Sequence, residues 1–205
     1  MSRISRLDRN QVSPEIAAGF DKVFSQRGNV PNMFRVMAHR PEIFATMQAH
    51  FAAVLNTGTV STKLKELIIV RTSQVTQTPY CLASHTVLAR GLGWSDDQLA
   101  HLASWPERDD FAPAEKAALR LAETVTRDAH AVTDEQFAEL RTHYSEGEIV
   151  DSVTGVQVAA GIDSETGSRL SFSGLSKWGD AEAVMTDWAQ KSTKRIQEAH
   201  TAPAQ

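Results

Sequence analysis

Apolar positions recur at three- and four-residue steps along most of this chain, the spacing of helices that bury one face. Ser13-Pro14 reads as an N-cap followed by proline at the first helical position, and that helix stops near Arg27-Gly28. Asn32 is placed to cap a short helix ending before Arg40-Pro41. Pro41 opens a longer one, in which Ile43, Phe44, Met47, Phe51, Val54 and Leu55 repeat with helical period until Asn56-Thr57-Gly58 breaks it. Ser61 caps the next segment, where Leu64, Leu67, Ile68, Arg71 and Val75 fall on or near one stripe. Its Ile68-Ile69-Val70 run would also suit a strand, but the length and position of the segment favour a helix. Capping boxes follow at Ser95-Asp96-Asp97-Gln98, Thr133-Asp134-Glu135-Gln136 and Ser145-Glu146-Gly147-Glu148. Pro113 opens a helix through Ala117, Leu121 and Val125. No Asn-Gly or Asp-Gly turn joins alternating runs, so no hairpin is predicted.

The pattern changes at residues 161–179, where Gly161, Gly167, Gly174 and Gly179 stand among serines. This reads as an irregular segment, followed at about 180–199 by an amphipathic helix whose apolar side is Val184, Met185, Trp188 and Ile196. The expectation is therefore an all-α chain. A single helical domain fills 1–160, and 161–205 packs on it or on a neighbouring subunit.

Composition narrows the function classes. The net charge of −4 argues against nucleic acid, because no Lys/Arg cluster offers a phosphate-binding footprint. No window approaches about 18 uncharged apolar residues, so no membrane span is expected. Met1-Ser2-Arg3-Ile4-Ser5-Arg6 lacks a secretory apolar run, and with one cysteine in 205 residues the expected compartment is the cytoplasm. That single cysteine forms no internal disulfide and no thiolate-rich zinc site. Seven histidines include no His-x-His or His-x-x-His, and phosphate-loop and dinucleotide fingerprints are absent, so neither metal nor cofactor is expected. His39, His50, His101, His130, His143 and His200 read as surface or cap residues, with His50 beside Phe51 the one to inspect for a site role.

The chemistry concentrates in Thr78-Pro79-Tyr80-Cys81-Leu82-Ala83-Ser84-His85. Thr78 followed by Pro79 is a helix-start signature, with the threonine hydroxyl as cap and Gly91 or Gly93 as the left-handed stop. Cys81 is then the third helical residue, in the first turn, where unpaired amides and the macrodipole favour an anion. His85, four residues on, lies on the same face and offers a proton acceptor. Both effects lower a thiol pKa from its reference of about 8.5. Against this stands the ordinary role of a lone cysteine, a small buried hydrophobe. Glu66 lies in the preceding helix among Leu67, Ile68 and Ile69. It is either a surface charge beside Lys63 and Lys65, or a proton relay facing Cys81 and His85.

Lys65-Glu66-Leu67, Tyr80 to Thr86 and Ala89-Arg90-Gly91-Leu92-Gly93-Trp94-Ser95 together resemble the carboxymuconolactone decarboxylase family, in its alkylhydroperoxidase D-like branch. Gly28 to Arg35 with Ala38-His39-Arg40-Pro41, Ala114 to Arg120, and Glu148-Ile149-Val150-Asp151 extend the likeness to roughly residues 13–160. The resemblance implies an all-helical fold, assembly as a trimer or hexamer, and sites near subunit contacts. In its peroxidase members a Cys-x-x-Cys pair is followed by a histidine and preceded by a relay glutamate. Cys81 matches the second cysteine, His85 the histidine and Glu66 the glutamate, while Thr78 stands in place of the first cysteine. An oxidised Cys81 would then need an outside thiol to resolve it. Asp163 to Arg169 also departs from the resemblance, which implies a continued helix carrying Asn and Arg near the site.

Three functions are open on the sequence. The leading one is thiol-dependent hydroperoxide reduction by Cys81, with His85 and Glu66 moving the proton and an external thiol or thiol protein as reductant. The second is a lyase on a small carboxylated lactone, using His85 and Glu66 for acid–base chemistry without the thiol. The third is a non-enzymatic helical homo-oligomer whose site is vestigial.

Overall fold

The computed structural model describes residues 4–152, so the irregular segment at 161–179, the helix at 180–199 and the division at residue 160 lie outside the described residues. Among the described residues, eight α-helices precede residue 146: α1 (Pro14–Arg27), α2 (Asn32–Met37), α3 (Pro41–Asn56), α4 (Thr62–Val75), α5 (Pro79–Gly91), α6 (Asp96–Ala100), α7 (Pro113–Arg127) and α8 (Asp134–Arg141). Residues 146–152 are again helical, and no strand occurs among the described residues. The fold is all-α.

Local chemistry sets the starts and stops. Ser13 Oγ accepts from the Ile16 amide at 3.4 Å, and α1 ends where Gly28 turns left-handed at φ 78°. Ser61 Oγ accepts from Leu64 at 3.2 Å. The boxes at Ser95/Gln98, Thr133/Gln136 and Ser145/Glu148 each close in both directions. Asn32 differs from expectation. It is the first helical residue rather than the cap, because Pro31 holds the extended geometry before the helix and its carbonyl accepts the Arg35 amide at 3.3 Å.

The N-terminal helices form one apolar cluster in which Phe44 of α3 meets Phe20 and Phe34 edge-on, with centroids 5.5 and 5.8 Å apart. The apolar stripe expected on α3 is narrower than its sequence suggests: Phe44 and Val54 are buried, while Ile43 points outward. The second cluster surrounds α4 and draws in Ala89, Trp94, Leu99, Leu102, Trp105, Phe111, Leu119 and Ala122.

Helix α4 is the axis of this cluster. Every residue from Leu64 to Ser73 is buried, so the single stripe expected there is in fact burial all round. Leu67, Ile68 and Val70 each contribute about 1.5–3 kcal/mol by leaving water. Lys65, Glu66 and Arg71 are buried with them, and each charge therefore needs a partner. Lys65 Nζ donates to the Val54 and Thr57 carbonyls at 2.7 and 2.6 Å, capping the end of α3, and pairs with Asp151 at 3.2 Å. A side chain at Gly58, where φ is 83°, would collide with that same Asp151 carboxylate. Arg71 pairs with Glu123 of α7 and donates to Gln74 at 2.8 Å, and the Trp105 indole donates to Glu123 at 2.7 Å.

Replacing Glu123 by Ala leaves a buried guanidinium and an indole N–H without their acceptor. Urea denaturation is expected to show a loss of about 3–5 kcal/mol. Glu123→Gln, which keeps an acceptor for Trp105, is expected to lose less.

Candidate active site

The turn between α4 and α5 begins with backbone geometry. The Thr78 amide donates to the Ser73 carbonyl at 3.0 Å and the Gln77 amide to Gln74 at 3.3 Å, the paired bonds of a Schellman ending. Gln77 occupies the left-handed position at φ 53°, where glycine is the ordinary residue. This tight reversal lays α5 directly along α4. Pro79 takes the first helical position and Cys81 the third, as expected.

The expected threonine cap is corrected. Thr78 is buried and its hydroxyl meets the Thr76 hydroxyl, so it makes no cap bond to the first turn of α5. Its φ and ψ of −96° and 89° and the hydroxyl contact with Thr76 aim the side chain back at the turn. What starts the helix is the Thr78 carbonyl, which accepts the Leu82 amide at 3.0 Å. The stop lies at Gly93, left-handed at φ 93°, while Gly91 remains helical.

Glu66 and His85 are brought together. Glu66 Oε2 lies 2.7 Å from His85 Nδ1, bridging α4 and α5. The Glu66 side chain is 6% exposed and that of His85 21%. Glu66 is therefore no surface charge; its helix is enclosed, and the imidazole is the partner its carboxylate requires. An ionised carboxylate only accepts, so Nδ1 carries the proton in that state and the Nε2 lone pair is left as a base. Cys81 is half-buried one turn before His85, on the same face of α5 by register. His39, His50, His101, His130 and His143 are exposed and stand apart from this pair. Among the described residues, no group of three or more His, Cys, Asp or Glu is placed to hold a metal ion.

Residues 41–124 match the carboxymuconolactone decarboxylase family, a span that opens with α3, encloses Glu66, Cys81 and His85, and ends within α7. Over this span the helical core is similar to the carboxymuconolactone decarboxylase family. Residues 117–192 match a second family, described as a protein of unknown function. The uncharacterized protein YdfG of Bacillus subtilis strain 168 is 36% identical over 97 residues, which are 47% of this chain and 66% of that protein. An alkylhydroperoxidase AhpD core structure, an uncharacterized peroxidase-related protein from Ralstonia eutropha JMP134, superposes with a TM-score of 0.68 at 26% identity, over 77% of this chain and 84% of that one. The debrominase Bmp8 superposes at 0.72 with 20% identity, over 91% of this chain and 97% of its own. At that identity the likeness is one of fold. The architecture is thus all-helical and of the alkylhydroperoxidase D-like type.

Sequence reasoning did not find Gln77, whose conformation is set by the Ser73 and Gln74 carbonyls, nor the Arg71–Glu123–Trp105 cluster. The available signal for the latter was an arginine in the same apolar run as Lys65 and Glu66. Gln77→Gly is expected to raise stability by about 1 kcal/mol in urea denaturation, since a side chain in the left-handed region costs about 1–2 kcal/mol and the more flexible unfolded chain returns part of the gain.

Proposed function

We propose that this protein is a thiol-dependent hydroperoxide reductase working through Cys81. The observation that supports this reading is the buried 2.7 Å bond between Glu66 and His85, with Cys81 one turn away in the first turn of the same helix. Glu66 holds the imidazole through Nδ1, so that Nε2 takes the thiol proton. The thiolate attacks the terminal peroxide oxygen; an S–O bond forms as the O–O bond breaks, and Cys81 becomes a sulfenic acid. The leaving alkoxide takes the proton from His85 and departs as the alcohol. An external thiol then condenses with the sulfenic acid, releasing water and leaving a mixed disulfide. A second thiol reduces that disulfide and restores Cys81. Reductant, small substrate, cytoplasmic location and a trimeric or hexameric assembly all belong to the proposal.

In an assay of tert-butyl hydroperoxide consumption with dithiothreitol, Cys81→Ser is expected to abolish turnover. His85→Asn, which keeps a polar side chain but no base, is expected to lower it about 10²–10⁴-fold. Wild-type rates in Cys81→Ser would exclude the mechanism.

One observation favours a second reading: the Glu66–His85 pair is complete without the thiol. A lyase on a small carboxylated lactone would use it as acid–base machinery. Carbon dioxide release from carboxymuconolactone that survives Cys81→Ser but not His85→Asn would select this alternative.

A further inference from the structure

Helix α3 turns a side without charge toward solvent. From Ile43 to Thr62 the sequence contains no Asp, Glu, Lys or Arg. Ala45, Thr46, Ala49, His50, Ala52 and Ala53 recur at three- and four-residue steps, and all six are exposed. Thr46 directs its hydroxyl to the Glu42 carbonyl of its own helix at 2.8 Å, so this side offers few polar groups outward. Other helices differ: α1 exposes Glu15, Asp21 and Lys22, and α8 exposes Asp134, Glu135 and Arg141. A helix side of this kind ordinarily packs against another element. The place where the described chain ends indicates which one. Glu148 accepts from the Thr59 hydroxyl at 2.8 Å, and Asp151 pairs at 3.2 Å with Lys65, whose Nζ holds the Val54 and Thr57 carbonyls. The chain therefore leaves the described residues at Ser152 beside the last turn of α3.

We propose that the outer side of α3 is the docking site of residues 180–199 of the same chain, with Trp188 seated over Ala49 and Ala53. An extended chain covers about 3.3 Å per residue, so residues 153–179 are long enough to carry the next segment back along the whole of α3. The apolar side expected there from Val184 to Ile196 is about 18 Å long as a helix, and the 16 residues of α3 span about 24 Å. The two sides also differ in size. Met185, Trp188 and Ile196 are large where α3 is lined by alanine, and large against small is the arrangement that fills an interface between helices. A second copy of α3 would instead set alanine on alanine and bury little apolar area. The inference stands apart from the reading of Cys81.

The test uses the full-length chain with its one cysteine removed as Cys81→Ser and a new pair introduced as Ala49→Cys with Ser192→Cys. A short bismaleimide is expected to link that pair within one chain, giving a product of single-chain mass. The control pair, Ala138→Cys on the exposed side of α8 with Ser192→Cys, is expected to react at least about tenfold more slowly. In a second measurement, trypsin cleavage after Lys191, Lys194 and Arg195 is followed by mass spectrometry. Ala49→Glu with Ala53→Glu places two carboxylates under the docked segment and is expected to speed that cleavage at least about tenfold, while Ala138→Glu leaves it unchanged. A link between two chains overturns the proposal in favour of a segment exchanged with a second copy. Equal reaction at Ala49→Cys and Ala138→Cys, or cleavage unaffected by the two carboxylates, overturns docking on α3. Hydroperoxide consumption is assayed separately on the wild type, so none of these outcomes bears on the reductase reading.

Discussion

From Leu64 to Ser73 helix α4 is buried on every side while carrying three charged residues, Lys65, Glu66 and Arg71, and the rest of the described structure is arranged to satisfy them. A buried charge without a partner is expensive enough to unfold a small domain. The three charges point in different directions around one helix, so their partners come from different elements. Lys65 binds the end of α3 and Asp151, Glu66 binds His85 on α5, and Arg71 binds Glu123 on α7. Each pair locks one neighbour in register against the axis. Apolar contacts alone, being non-directional, would tolerate sliding of these helices.

The same constraint prepares the site. Glu66 belongs to the scaffold as much as to any chemistry, since the burial that makes it costly also orients the imidazole it requires. The reversal at Gln77 then places α5 close enough for that bond, and it puts the half-buried Cys81 at a helix start. Under the proposed reaction, a rigid acid–base pair and a thiol in the first turn act as one unit. Their separation in sequence, from Glu66 to His85, is spanned by a tight turn, so little movement is needed to assemble them.

Thr78, at the position where the resemblance implies a first cysteine, takes on a different meaning once it is seen to be buried and engaged with Thr76. Its place is structural, in the reversal between the two helices. Under the proposed cycle, resolution of the oxidised sulfur falls to an outside thiol.

Sequence alone was enough for the elements that depend on near neighbours. Caps at Ser13, Ser61, Ser95, Thr133 and Ser145, and the prolines that open α1, α3, α5 and α7, follow from chemistry within one turn, as does the placing of Cys81 and His85 on one helix. Tertiary structure removed the surface-charge reading of Glu66, because burial depends on helices remote in the chain. It also turned the α4 stripe into an enclosed helix and took the cap away from Thr78. The pairing of Arg71 with Glu123, 52 residues apart, was likewise invisible, since no local pattern says which charges meet. Short-range hydrogen bonding writes itself into sequence spacing, whereas the partner of a buried charge is chosen by packing.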